Sequence, residues 1–203
     1  MHWDRLFEDL EGQLSAEWET ERAALSAESE RLRISRLDLR SRLRALCTAG
    51  ASVTLELSNG RRLPVAMRAL GVDWVAVESA QGDDLLLAPS TRILPLHAVH
   101  GVRADHGILL ASLDGDAEPE SPLRERMSLG FILRDLARRR VPVHLTVTTG
   151  DDMHGTIDRA GLDHLDLALH DAGTARLARE VQGFRIVPFA ALITIRAVGD
   201  QRF

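Results

Sequence analysis

The fold is decided by ASVTLELSNGRRLPVAMRALGVDWVAV, residues 51–77, because the same pattern returns as VPVHLTVTTGDDMHGTIDRAGLDHLDL at residues 141–167. The two stretches align without a gap at a shift of 90 residues. A repeated apolar pattern with glycines at fixed offsets predicts a repeated fold. The matching positions are Val53, Leu55, Leu57, Gly60, Gly71 and Asp73 in the first copy and Val143, Leu145, Val147, Gly150, Gly161 and Asp163 in the second.

The match extends to both sides of these stretches. Each copy with its helix spans about 70 residues, near the lower limit for a domain that folds on its own core. We therefore expect the copies to pack together or to oligomerise. Upstream, Leu37, Leu39, Leu43, Arg44 and Leu46 match Met127, Leu129, Leu133, Arg134 and Leu136, and after a three-residue insertion Ile93, Pro95, Ala98, Val102, Arg103 and Ala104 match Ile186, Pro188, Ala191, Ile195, Arg196 and Ala197.

Alternating apolar residues predict short β-strands in each copy. In the first copy Val53, Leu55 and Leu57 share one face, and Ser58-Asn59-Gly60 is a strong hairpin signal. Five such strands after a helix predict a small closed or nearly closed barrel of the SH3 type. The expected class is mainly β with α, comprising a helix over residues 1–47, a barrel over 48–104, an acidic linker over 105–122, a helix over 123–140 and a second barrel over 141–199.

The first helix is expected to be long and to carry an apolar stripe. The periodicity predicts one helix from residue 3 to about residue 46. Leucines and tryptophan spaced by sevens from Trp18 to Leu46 form half of a coiled-coil seam. The helix either lies along its own barrel, which suits its last turns near Leu43, or docks on a partner. Docking suits its first part, whose apolar side chains are Trp3, Phe7, Leu10, Leu14 and Trp18.

Composition limits the classes of function. All 25 basic residues are arginine, as codon bias in a GC-rich bacterial genome would produce, and the net charge is -5. This charge disfavours broad capture of nucleic acid, although a local basic patch remains open. The single cysteine, Cys47, excludes an intrachain disulfide and suits a reducing interior. With no signal-peptide layout and no stretch of membrane-spanning length, we expect a cytoplasmic protein without a membrane role.

The stretch MHGTIDRAGLDHLDLALHDA, residues 153–172, resembles the Sm-like family of small barrels, which includes LSm proteins and Hfq. Gly155, Asp163 and the alternating leucines that follow fit the order of the family's first motif. The segments AVHGVRA and ALITIRA, residues 98–104 and 191–197, are similar to its second motif. The resemblance covers residues 37–104 and 127–198 as a degenerate tandem duplication. The overall layout also resembles an uncharacterised bacterial protein family.

The Sm-like resemblance implies oligoribonucleotide binding and ring assembly. Family members hold a uracil with an asparagine where this chain has Ala76 and Asp166, and they have a glycine where it has Ala104 and Ala197. The residues that remain as candidate RNA contacts are Trp74, Arg103 and Arg196, since an aromatic ring stacks on bases and arginine binds phosphate. Alternatively, both arginines are solvated strand ends and Trp74 covers the barrel.

Metal and catalytic chemistry have weaker support in the sequence. On the second copy His144, His154, His164 and His170 could share a polar face with Asp158 and Asp166, and these are zinc ligands by type. None of these histidines recurs at the matching position in the first copy, so we predict no metal and no cofactor, while metal binding by this face remains open. Cys47 and the serines lack the partners of an activated nucleophile, so we expect no catalytic residues and no enzyme.

The sequence thus favours a non-enzymatic protein that acts in assembly or regulation through protein contacts. Self-association is expected, together with a protein partner of unknown identity. The alternative is a degenerate Sm-like RNA-binding regulator.

Overall fold

The computed structural model describes residues 2–79, 90–114, 121–172, 177 and 179–197. Of these, the side chains are described from residue 11 onward, except that of Ser90. The chain divides into two compact units, residues 1–39 and residues 40–203. The first unit is essentially helix α1 (His2–Ser35). Helix α2 (Leu39–Thr48) leads into the sheet of the second unit.

The prediction of one uninterrupted helix from residue 3 to residue 46 is wrong at residues 36–38, where α1 ends. The amides of Arg36 and Leu37 donate to carbonyls only three residues back, at 3.2 and 3.1 Å, which closes the last turn tightly. The hydroxyl of Ser35 also donates to the Leu32 carbonyl oxygen at 2.8 Å. Serine hydroxyls compete in this way with helix propagation. The leucines continue to recur every seven residues through the break, so the periodicity could not reveal where α1 ends.

In the described residues, each half of the second unit contains five strands. In the first half these are β1 (Ser52–Leu57), β2 (Arg62–Leu70), β3 (Trp74–Ser79), β4 (Ser90–Pro95) and β5 (Val99–Arg103). Three short helices follow, α3 (His106–Ala111), α4 (Pro122–Glu125) and α5 (Leu129–Arg138). The second half has β6 (Pro142–Val147), β7 (Asp152–Ala160), β8 (His164–Leu169), β9 (Gly183–Pro188) and β10 (Leu192–Ala197).

All ten strands form one antiparallel sheet in the order β5-β1-β2-β3-β4-β10-β6-β7-β8-β9. The second half therefore repeats the strand order of the first. The halves join where β4 pairs with β10, with Ile93 opposite Ile195 and Arg92 opposite Arg196. The prediction of two tandem barrels, each closed or nearly closed, is not confirmed, because the ten strands form one sheet that is continuous across the halves and does not close. The coarser prediction of a β-rich fold with added helices is confirmed.

The predicted hairpin turns have the same geometry in both halves. Gly60 has φ of 78° and Gly150 has φ of 88°, values that favour glycine. The amide of Gly60 donates to the Leu57 carbonyl oxygen at 2.8 Å, and that of Gly150 donates to the Val147 carbonyl oxygen at the same distance. Matching turn residues thus produce matching turns.

The core of the sheet is shared between the halves. The inward positions predicted for β1, such as Leu55, are buried among first-half residues. However, the first-half residues Trp74, Ala76 and Ile93 belong to the same buried cluster as the core of the second half. Conversely, Ile193 of β10 is buried in the first-half cluster. Neither half has a complete core of its own.

The second predicted helix, residues 123–140, is divided into α4 and α5. The first piece ends at Glu125, and Ser128 caps the second piece, because its hydroxyl oxygen accepts a hydrogen bond from the Phe131 amide at 3.3 Å. The predicted acidic linker, residues 105–122, contains α3, which Asp105 caps through the Gly107 amide at 2.8 Å. Residues 115–120 of that linker lie outside the described residues.

We predict that Gly155→Ala destabilises the protein. A Cβ at this position in β7 would lie 2.3 Å from the Ala168 carbonyl oxygen of β8, so backbone must move. Overpacking of this kind costs about 1–3 kcal/mol. The matched control is Gly183→Ala in β9, where a Cβ meets nothing within 4 Å. In urea unfolding, Gly155→Ala should have a lower midpoint concentration than the wild-type protein, whereas Gly183→Ala should not. Equal midpoints for the two variants would contradict the prediction.

Candidate interaction surfaces

Helix α1 exposes a row of large apolar side chains. Trp18 is 62% exposed and Leu25 is 66% exposed, and Leu14 and Leu32 are exposed as well. Trp3, Phe7 and Leu10 lie within α1, but their side chains are outside the described part of the chain. Clusters of exposed apolar side chains on one element are typical of protein-binding surfaces. We call Leu14, Trp18, Leu25 and Leu32 the α1 stripe.

The apolar side chains in the last turns of α2 are buried, unlike those of the α1 stripe. Leu43, Leu46 and Cys47 are buried in the first-half core. The expected packing of these turns on the strands that follow is confirmed, and the thiol of Cys47 is part of that core.

The structure does not gather the three candidate RNA contacts into one site. Trp74 is 3% exposed, and its indole Nε1 donates to the Met127 carbonyl oxygen at 2.9 Å, so a base cannot stack on the ring here. Arg103 lies on edge strand β5 and forms an ion pair with Glu56 at 2.6 Å. Arg196 lies on β10, and four strands separate β5 from β10 in the sheet.

Three of the four histidines of the second half, His154, His164 and His170, have side chains within hydrogen-bond distance of other groups of the protein. The imidazole Nε2 of His170 lies 2.9 Å from the Thr156 hydroxyl, and His154 Nδ1 lies 3.0 Å from the His170 carbonyl oxygen. His164 pairs with Asp163 at 2.9 Å. Burial, followed by the nearby Arg196 guanidinium, lowers the pKa of His144, which favours its neutral form. Among the described residues, no three histidine, cysteine or carboxylate side chains converge as a metal site would require.

A cleft of about 310 Å³ lies at the junction of the two halves. Three arginines line it, Arg61 and Arg62 from the start of β2 and Arg92 from β4, and β10 contributes Thr194. The side-chain nitrogen Nδ2 of Asn59, which also lines the cleft, is buried without a hydrogen-bond partner. These donors favour an anionic ligand, as arginine does in phosphate sites.

Two acidic groups moderate the positive charge of this cleft. Arg61 lies 3.8 Å from Asp152, and Arg62 lies 3.4 Å from Glu56.

Sequence reasoning missed the cleft because its arginines converge only once β4 and β10 pair. The adjacent pair Arg61-Arg62 after a hairpin turn was the one available signal.

Short helices are attached to the turn between β2 and β3. Arg44 of α2 donates to both carboxylate oxygens of Glu125, at 2.8 and 3.0 Å. Arg40 donates to the Glu125 and Val72 carbonyl oxygens at 3.1 and 2.8 Å. The carboxylate of Asp73 accepts from the Leu129 amide at 2.6 Å, at the start of α5. The hydrogen bond from Arg44 is the main reason why the pKa of Glu125 is lowered.

Comparison of the chain with protein-family models, with characterised proteins and with solved structures gave no match. Within the described residues, no helix has both the length and the apolar character needed to cross a membrane.

We predict a pH-dependent stability difference between the wild-type protein and Glu125→Gln. Because the folded-state pKa of Glu125 is lowered, its contribution is complete above the unfolded-state pKa and disappears as pH falls through the folded-state pKa. At neutral pH the variant should lose about 1.5 kcal/mol of unfolding free energy, the lower end of the range for a hydrogen bond to a charged group. Chemical unfolding across pH measures this, with Glu17→Gln on exposed α1 as the control. If the difference in unfolding free energy between the two proteins is as large in acid as at neutral pH, the pKa of Glu125 is not lowered as described.

Proposed function

We propose that this chain is a non-enzymatic protein that acts in assembly or regulation through protein–protein contacts of its N-terminal helix and its strands. The observation that carries the proposal is the α1 stripe. Burial of one large apolar side chain is worth roughly 1.5–3 kcal/mol. A row of such side chains left exposed on one helix is a surface from which a partner gains binding energy.

The charge pattern of α1 supports the same proposal. Arg31 pairs with Glu28 at 3.5 Å and Arg33 pairs with Glu30 at 2.7 Å, both between residues three apart on the helix. Such pairs stabilise a solvated helix modestly. The helix thus has its own local support while its apolar residues are available. Trp3, Phe7 and Leu10 extend the proposed docking surface toward the N-terminus.

We further propose that the two halves are degenerate Sm-like barrel units that arose by duplication. Support comes from the repeated strand order, with a helix ahead of each set of strands. It also comes from equivalent hydrogen bonds in the two halves: the Leu96 amide donates to the Asp73 carbonyl oxygen at 2.8 Å, and the Phe189 amide donates to that of Asp163 at 2.7 Å.

A cytoplasmic location fits the single buried thiol of Cys47.

The helix proposal predicts that Trp18→Glu weakens binding through α1. A charge in the centre of the α1 stripe should reduce self-association or partner capture by about tenfold or more, as at interface hot spots. Thr20→Glu is the matched control, since it adds the same charge about half a turn away on the same exposed helix. Light scattering gives the mass, and affinity capture from the native cell gives the partners. If mass and partners are the same for both variants, α1 is not the docking surface.

The second candidate function is RNA binding, which the arginine-lined cleft favours over the three residues chosen from the sequence. If RNA occupies the cleft, wild-type protein should bind short uridine- or adenine-rich RNA with micromolar affinity and a steep salt dependence. Replacement of both Arg61 and Arg62 by serine should then reduce the affinity and the salt slope. Arg159→Ser, at an exposed position of β7, is the control for charge alone. Filter binding over a salt series decides: no binding of wild-type protein at low salt excludes this function.

A further inference from the structure

Three members of the α1 stripe are spaced by seven residues. Trp18, Leu25 and Leu32 follow one another at this interval, and all three are more than half exposed. In a straight α-helix such a row drifts around the helix by about 20° every seven residues, and winding around a second helix keeps it in line. A second helix therefore fits this row better than a flat surface does.

The charges of α1 are segregated along the helix. Residues 11–21 contain four glutamates and no arginine, whereas residues 22–36 contain four arginines and two glutamates. Two copies of this helix side by side in the same direction place acidic residues next to acidic residues. In opposite directions, each acidic part lies beside the arginines of the other helix, and the two helix dipoles also favour this arrangement. The helix is thus complementary in charge to a reversed copy of itself.

One antiparallel register also matches the apolar row. When Leu25 lies opposite Leu25 of the second copy, Trp18 lies opposite Leu32 of that copy, and Leu32 lies opposite its Trp18. All three layers are then apolar. A shift by seven residues in one direction places Leu32 opposite Glu11, and a shift in the other direction runs past the end of α1.

The same register brings opposite charges together on both flanks of the row. Glu17 and Arg31 each precede a member of the row by one residue, so they lie on one flank, and Glu19 and Arg33 lie on the other. In an antiparallel pair each flank meets the same flank of the second copy, so Glu17 meets Arg31 and Glu19 meets Arg33. Both arginines already pair with glutamates of their own helix, yet their side chains are 78% and 44% exposed. A guanidinium has five N–H donors and can bind a second carboxylate.

We infer that α1 pairs with α1 of a second copy of this chain as an antiparallel two-stranded coiled coil centred on Leu25. The contact uses the same surface of both molecules, so it closes at the dimer. This inference rests on the proposed docking role of α1 and names its partner. One register satisfies the apolar spacing and the charge segregation together, which is the reason why a second copy is the occupant.

The apolar row is narrow. Glu21 and Glu28 follow Trp18 and Leu25 by three residues, at positions that stable coiled coils fill with a second apolar side chain. We therefore expect a reversible, concentration-dependent dimer rather than a permanent one.

A disulfide tests the direction of pairing. Full-length Trp18→Cys protein and full-length Leu32→Cys protein are mixed and mildly oxidised, and peptide mass spectrometry should identify an 18–32 bond between molecules. Two of the three apolar layers are retained in this mixed dimer. Either variant alone should give little dimer, because its two thiols lie about 21 Å apart along an antiparallel pair. Cys47 is buried, so it interferes little.

The control mixture is Thr20→Cys with Ile34→Cys. These residues have the same spacing as Trp18 and Leu32 and are also exposed, but they lie about half a turn away from the apolar row. They should therefore not form a disulfide between molecules above the background of random collision.

Charge reversal tests the register. Glu17→Arg combined with Glu19→Arg should raise the dissociation constant of the dimer about tenfold in sedimentation velocity, because arginines then face arginines on both flanks. Adding Arg31→Glu and Arg33→Glu to the same chain should restore the dimer. Circular dichroism shows whether the variants keep their helix content.

Each result supports or overturns the inference. Disulfides in the single-variant samples indicate a parallel pair and overturn it, as do equal cross-linking of the control mixture and a failure of the second charge reversal to restore the dimer. Wild-type protein that stays monomeric at high micromolar concentration also overturns it; if Trp18→Glu still loses captured partners, α1 docks on another protein and the helix proposal stands. A dimer that neither Trp18→Glu nor the first charge reversal weakens contradicts both.

Discussion

Ile93 and Ile195 face each other where β4 meets β10, and this pair holds two incomplete halves together as one sheet. Both side chains are buried, and each contributes roughly 1.5–3 kcal/mol through removal from water. The pairing also satisfies backbone groups that two sheet edges would otherwise leave open. Through it, Trp74 and Ala76 enter the second-half core and Ile193 enters the first-half core. Halves of about 70 residues are small for independent folding, so a shared core is an effective source of stability.

This contact also determines which residues are available for function. Trp74 and His164 occupy corresponding positions, yet the tryptophan is buried against Met127 while the histidine is exposed. Ile93 and Ile186 differ in the same way. One member of each pair is used in holding the halves together, and the other is left at the surface. A motif that occurs in both copies is therefore not equally available for function in both.

Much of the local structure could be predicted from the sequence. Alternation placed Leu55 and Leu57 in the core, and glycine in Ser58-Asn59-Gly60 marked a hairpin with positive φ. The breaks of both predicted helices were missed because apolar spacing continues through them, while serine hydrogen bonds end or restart the helix. Of the candidate site residues, Leu14 and Trp18 are exposed as a docking surface requires, whereas Trp74 is buried. The arginine-lined cleft was not predicted, since Arg61 and Arg92 meet only in the assembled sheet.

The sequence by itself determined the elements and their repetition, because strand alternation, turn glycines and helical spacing are properties of neighbouring residues. Only the tertiary structure decided that β4 pairs with β10, that all ten strands form one continuous sheet, and that Trp74 is inside while Ile186 is outside. The physical reason is that pairing of strand edges and sharing of a core depend on contacts between residues far apart in the chain. The same local pattern can serve either as an interior contact or as a surface.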